Sequence, residues 1–199
     1  TSDVAIEFDA DPTVSDAGLD QQVCGSTGLP VSLSANAPVF TGETGAWSFV
    51  VNPDGLPLTA FSNTTSPTSD FTGTAGESYT LRWTLTNGVC AVSSDEVEIT
   101  IDADPTVANA GADQTGVSAV CGTSTALTGN SATTGNGLWS IVTGDGNGAF
   151  VDPTSPTTLF TGSEEFTYTL RWTISNGVCV ASTSDVAIEF DADPTVSDA

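Results

Sequence analysis

The sequence predicts an all-β chain of tandem β-sandwich domains, and three observations carry the prediction. Short runs of alternating apolar and polar residues are separated by Gly, Pro, Asn, Asp and Ser. The same landmarks occur twice in the same order, and no segment shows the spacing of an amphipathic helix. With 199 residues and 38% hydrophobic content, the chain can supply two ordinary domains with a core each.

The repeat sets the boundaries. Thr1 to Ala17, TSDVAIEFDADPTVSDA, recurs unchanged as Thr183 to Ala199, and a diverged copy, SSDEVEITIDADPTVANA, lies between them at Ser93 to Ala110. Pro12, Pro105 and Pro194 mark the three copies, so the unit is about 91 residues long. Residues 1–11 then read as the last strand of a preceding repeat, 12–104 as a first repeat, 105–193 as a second and 194–199 as the start of another. The orphan strand at the start has two readings: a window cut from a longer covalent array, or a strand that completes a neighbouring molecule.

Within a repeat the strands follow from alternation. Val31 and Leu33 mark a short early strand, and Trp47, Phe49 and Val51 a second, matched by Trp139 and Ile141. Tyr79, Leu81, Trp83 and Leu85 form the inward face of a third, with Thr80, Arg82, Thr84 and Thr86 outward. Its counterpart is Tyr168, Leu170, Trp172 and Ile174. Asn87-Gly88 and Asn176-Gly177 then suit a type I′ hairpin turn, and a last strand runs through Val97, Ile99 and Ile101 or Val186, Ile188 and Phe190. All four tryptophans, Trp47, Trp83, Trp139 and Trp172, are in phase with the core rather than with an exposed sugar-stacking face.

Composition narrows the chemistry. The chain has 25 acidic residues against 2 basic ones, a net charge of -23, and no His or Met. Both bases are arginines, so Lys is absent as well. That balance argues against nucleic acid and anionic membrane as partners, and the usual general bases and Schiff-base formers are missing, which argues against an enzyme. Adjacent Glu164 and Glu165 would face opposite ways on a strand and do not form a glycosidase pair. No apolar run is long enough to span a membrane.

Four cysteines fall two per repeat. The economical pairing is Cys24 with Cys90 and Cys121 with Cys179, each stapling the first strand region to the last hairpin of its own domain and implying an oxidising, extracytoplasmic setting. Closing such a loop of roughly 60 residues would contribute on the order of 4 kcal/mol. Acids gather at the junctions: Asp9, Asp11, Asp16 and Asp20 at the first, Asp102, Asp104 and Asp113 at the second, Asp191, Asp193 and Asp198 at the third. The D-A-D-P carboxylates, Asp9 with Asp11, Asp102 with Asp104 and Asp191 with Asp193, would offer oxygen ligands to calcium. Otherwise they form a solvated acidic hinge. Arg82 and Arg171 are expected to pair across the hairpin with Glu98 and Glu189.

Four stretches carry a resemblance: PTVANAGADQT at the domain start, GLWSIVTGDGNG in mid-domain, the YTLRWTISNG strand, and the cysteine just after it. They resemble the PKD-like and related immunoglobulin-like repeats of giant surface proteins secreted by gliding Bacteroidota and similar bacteria. The likeness extends over both units, and the first departs from it at GAWSFVVNPDG, where the Gly-Asp-Gly turn is lost. It implies immunoglobulin-like sandwiches strung into the stalk of an extracellular fibre or adhesin, serving cell-surface adhesion or gliding. The partners implied are adjacent repeats, a surface, a glycan or like filaments. A glycan- or protein-binding module, a spacer of a secreted hydrolase and a strand-exchanging filament subunit are the competing expectations.

Overall fold

In a strand, alternate side chains leave on opposite faces, and the two longest strands of the first repeat obey this throughout. β5 (Ser78–Thr86) turns Tyr79, Leu81, Trp83 and Leu85 inward, β6 (Ser93–Asp102) turns Val97, Ile99 and Ile101 inward, and all seven are buried. Their antiparallel register sets Tyr79 opposite Ile99 and Leu81 opposite Val97, so the apolar faces coincide. The computed structural model describes Val4 and residues 9–192, and the chain divides into two units, Thr1–Ala103 and Asp104–Ala199. Most of the segment read as the orphan strand, Asp193 and the segment 194–199 lie outside the described residues.

In the first unit β3 (Thr44–Val51) pairs with the other edge of β5, bringing Trp47 opposite Trp83 with ring centroids 5.1 Å apart. A bulge between Phe49 and Val51 ends the alternation, which leaves Phe49 partly buried and Val51 exposed. β1 (Gln21–Cys24) joins the far edge of β6 in parallel, giving the order β1-β6-β5-β3. Facing this sheet, β2 (Val31–Ser32) pairs with β4 (Asp70–Phe71), and Val31, Leu33, Phe61 and Phe71 close the core from the second layer.

The second unit repeats the plan. β7 (Val120–Cys121), β13 (Ser182–Asp191), β12 (Phe166–Ser175) and β9 (Asn136–Thr143) make the larger sheet in the order β7-β13-β12-β9. β10 (Ala149–Phe150), β11 (Leu159–Thr161) and β8 (Ser124–Ala126) make the smaller. Tyr168, Leu170, Trp172, Ile174, Val186, Ile188 and Phe190 are buried between them. Ile141, expected inward beside Trp139, is 39% exposed, because β9 is an edge strand whose register with β12 shifts between Thr169 and Leu170.

The hairpin turns differ from the predicted type I′. That turn needs positive φ at both central residues, whereas here Gly88 (φ 56°) and Gly177 (φ 49°) have it and the asparagines before them do not. Asn87 instead opens a wider loop, Asn87 to Val92, closed by a bond from Cys90 N–H to Asn87 O (3.2 Å), and Cys179 N–H makes the same bond to Asn176 O (3.1 Å). These loops carry the second cysteine of each repeat.

The incoming segment of each repeat is laced to the last strand by side chains before any β-ladder begins. Ser15 N–H donates to Ser93 Oγ (2.8 Å), Ala17 N–H to Asp95 Oδ2 (2.8 Å) and Glu98 N–H to Asp20 Oδ1 (2.8 Å). In the second unit Ala108 N–H donates to Ser182 Oγ (2.9 Å) and Ala187 N–H to Asp113 Oδ1 (2.8 Å). Asp20 and Asp113, read as junction charge, are thus structural acceptors that satisfy backbone N–H groups of an edge strand.

Candidate functional site: the two poles of each repeat

Because the first strand runs parallel to the last, the chain comes into a repeat at one pole and leaves at the opposite one. In the first unit the proximal pole is formed by Asp9, Ala10 and the Asn87–Val92 loop. Asn87 Nδ2 donates to Ala10 O (2.9 Å), and Val89 N–H donates to Asp9 Oδ2 (3.1 Å). The distal pole is the end of β6, where Cys24 lies level with Asp102 and Gly25 N–H donates to Asp102 O (2.8 Å). In the second unit Cys121 lies level with Asp191 at the distal pole, and Cys179 sits in the turn just before Ser182 at the proximal pole.

This placement overturns the expected pairing within each repeat. Cys24 and Cys90 are separated by the whole length of the ten-residue β6, about 30 Å at about 3.3 Å per residue. A disulfide requires Cα atoms within about 7 Å. The ten-residue β13 separates Cys121 from Cys179 in the same way. Accordingly, Cys24 and Cys179 are disulfide-bonded, whereas Cys90 is a free thiol. Burial, together with the negative charges of Asp11 and Asp9, pushes the Cys90 thiol up, and its Sγ lies 3.5 Å from Asp9 O.

The arginine pairs are also corrected. Arg82 pairs with Glu96 (Nη2 to Oε1, 2.5 Å) and Arg171 with Asp185 (Nε to Oδ1, 2.7 Å), the residues directly opposite in register. Glu98 faces Thr80 and Glu189 faces Thr167, two positions further along the same face. The hydrogen bond and charge of Arg171 hold the Asp185 carboxyl below its ordinary value.

Three carboxylates missed by the sequence reading organise the loops. Asp54 Oδ2 accepts from the hydroxyls of Thr74 (2.5 Å) and Tyr79 (2.9 Å), and Asp145 accepts from the Tyr168 hydroxyl and the Asn147 N–H. Each tyrosine oxygen in turn accepts a backbone N–H, from Thr74 (2.9 Å) or Ser163 (2.8 Å). Hydrogen bonds from Ser163, Tyr168 and Asn147 hold the Asp145 carboxyl far below the usual range; the Thr74 bond leads the same effect at Asp54. The available signal was the Asp-Gly dipeptide, present in NPDG as well as GDGNG, so the first repeat keeps the residue that matters. Glu43 collects the N–H groups of Thr13 (2.6 Å), Val39 (2.7 Å) and Phe40 (3.1 Å). Burial pushes Glu43 up, but the bonds from Phe40, Val39 and Thr13 outweigh it and leave the group lowered.

The D-A-D-P acids sit at the poles. Asp102 Oδ2 accepts from Gln22 Nε2 (2.9 Å), Asp9 is bonded to the Val89 N–H, and Asp11, Asp104 and Asp191 are exposed. The four tryptophans lie in the cores, each indole N–H donating to a carbonyl: Trp47 to Ser66, Trp83 to Asn36, Trp139 to Pro156 and Trp172 to Asn130. Of the aromatics without a sequence assignment, Phe61 is buried, Phe150 packs on the second core and Phe40 is exposed.

No protein-family model and no curated protein matches this chain. Among solved structures, Sidekick-1 immunoglobulin domains 1–4 match 96% of this chain and 51% of their own at 12% identity and a TM-score of 0.61. Extracellular domains 3–5 of Drosophila OTK match 91% of this chain and 60% of their own at 11% identity and a TM-score of 0.57. The PKD domain of the KIAA 1837 protein matches 46% of this chain and 92% of its own at 21% identity, with a TM-score of 0.38 that is too low to bear on the fold. The chain therefore spans between 51% and 60% of the two multidomain structures it resembles. At such identities the likeness is one of architecture: the chain is an all-β protein built from immunoglobulin-like β-sandwich domains.

Proposed function

We propose that the chain is a stretch of the stalk of a long extracellular bacterial surface fibre or adhesin, serving adhesion or gliding by length and stiffness rather than by catalysis. The supporting observation is polarity. The first strand runs parallel to the last, so each sandwich takes the chain in at one pole and releases it at the other. Each further copy, joined by a short Asp-Ala-Asp-Pro segment, would add to the length of the chain. The unchanged recurrence of TSDVAIEFDADPTVSDA, the disulfide-bonded cysteines and the likeness to immunoglobulin-like domains of extracellular proteins support the same reading. The resemblance of the sequence to repeats of gliding Bacteroidota supplies the bacterial setting.

Immunogold labelling tests it. Antibody raised against this chain should decorate thin fibres outside unpermeabilised cells of the source organism at many points along their length. Label confined to the cell interior, or to compact secreted particles, would contradict the proposal. Calcium at the D-A-D-P carboxylates belongs to the same proposal: added calcium should stiffen the chain, and Asp102→Asn with Asp104→Asn should abolish that response.

A further inference from the structure

Between Phe61 and Asp70 the first unit carries a loop, SNTTSPTS, that is pinned to the sandwich by backbone carbonyls. Trp47 N–H donates to Thr64 O (2.7 Å), Trp47 Nε1 to Ser66 O (2.9 Å) and Leu33 N–H to Ser69 O (2.9 Å). Asn63 stands exposed near the start of the loop, followed by Thr64 and an exposed Thr65. Its carboxamide oxygen accepts both the N–H (3.0 Å) and the hydroxyl (2.9 Å) of Thr65, and among the described residues nothing accepts from its Nδ2. The other asparagines of this unit are used the opposite way. Nδ2 of Asn36, Asn52 and Asn87 donates to the backbone carbonyls of Val14 (2.8 Å), Leu56 (2.8 Å) and Ala10 (2.9 Å). Asn63-Thr64-Thr65 is also the one Asn-x-Ser/Thr triplet in the sequence. The second unit builds the same turn from Asp152, whose Oδ1 accepts from the N–H (2.9 Å) and the hydroxyl (2.7 Å) of Thr154, but there the group is a carboxylate and Pro153 lies between. The turn is therefore common to both folds, and the carboxamide with its unused nitrogen belongs to the first.

We propose that Asn63 is an N-glycosylation site, its Nδ2 taking an oligosaccharide during export of the chain. The triplet supplies the acceptor amide and, two residues on, the hydroxyl that such transfer requires. The structure adds that the linkage removes no native hydrogen bond. The nitrogen to be substituted holds none, and the oxygen that holds two is left untouched. At Asn36, Asn52 or Asn87 a sugar would have to fit beside a carbonyl that Nδ2 already holds. In the transfer, the anomeric carbon of a sugar carried on a lipid diphosphate bonds to Asn63 Nδ2. The bond from that carbon to the diphosphate oxygen breaks, the diphosphate leaves with the electron pair, and the proton lost from Nδ2 passes to a base of the transferase. Thr64, the next residue, holds the Trp47 N–H on the outer side of β3, the edge strand of the larger sheet. A glycan on Asn63 would stand beside that edge and hinder its pairing with a strand of another chain. The inference rests on the export part of the functional proposal and not on the fibre.

Mass spectrometry of the protein recovered from the surface of the source organism tests the site. The protein is digested with trypsin and chymotrypsin, and electron-transfer fragmentation, which leaves sugars on their side chains, locates any added mass. The peptide that contains Asn63 should be heavier than its sequence by whole sugar residues, with the added mass on Asn63. Asn63→Gln and Thr65→Val, expressed in the same organism, should each lose that mass, and Thr65→Ser should keep it. An Asn63 peptide of unmodified mass would overturn the proposal, as would sugar placed on Thr64, Thr65 or Ser66, or sugar on this peptide that survives Asn63→Gln. None of these results bears on the fibre, which the labelling experiment decides independently.

Discussion

Gly45 and Gly137 lie against the indoles of Trp83 and Trp172, where an added Cβ would fall well inside contact distance of the ring. Gly45→Ala or Gly137→Ala should therefore destabilise its sandwich by about 1–3 kcal/mol through overpacking. Trp172→Ala should cost about 3–5 kcal/mol by leaving a cavity, and both effects can be read from the denaturant midpoint. The tryptophans were legible from alternation alone. Their glycine partners were not, because a glycine kept clear for a ring looks in sequence like a turn signal. The carboxylates of Asp54, Asp145 and Glu43 all sit below their ordinary values. A group depressed in the folded state contributes stability that is fully present above its unfolded value of about 4 and is lost as pH falls through the folded value. Asp145→Asn should thus lower the melting temperature at pH 7, with the gap to the parent unchanged down to about pH 5 and closing below about pH 4. A gap that persists into strong acid would mean the Asp145 carboxylate is not what the Tyr168 hydroxyl recognises.

At the scale of strands, the sequence showed which face is buried but not the register. A slip of two residues keeps every side chain on its face, so Glu96 and Glu98 were equally acceptable partners for Arg82 until β5 and β6 were aligned. The observed pair is about 43% exposed on both sides, so Arg82→Gln should cost no more than about 1 kcal/mol and should lose its effect in high salt. A larger, salt-independent loss would show that the aliphatic stem of Arg82 packs on the sheet. The cysteines failed for a related reason. Their order along the chain placed them in the first and last elements, but only the parallel run of β1 beside β6 shows that they stand at opposite ends of the same strand. The lacing of incoming segments was hidden too, since Ser15, Asp20 and Asp113 read as polar linker until their backbone partners were known.

For the whole molecule, the two repeats and the sandwich class follow from the recurrence of residues, and the polarity of each bead follows from topology. A sandwich that takes the chain in at one pole and releases it at the other is the feature on which the fibre proposal draws. The most direct measurement of the central claim is electron microscopy of surface material from the source organism. The account predicts thin filaments beaded at about 40 Å, the length of a ten-residue strand plus its short linker at about 3.3 Å per residue. Compact particles with no beaded extension would contradict it.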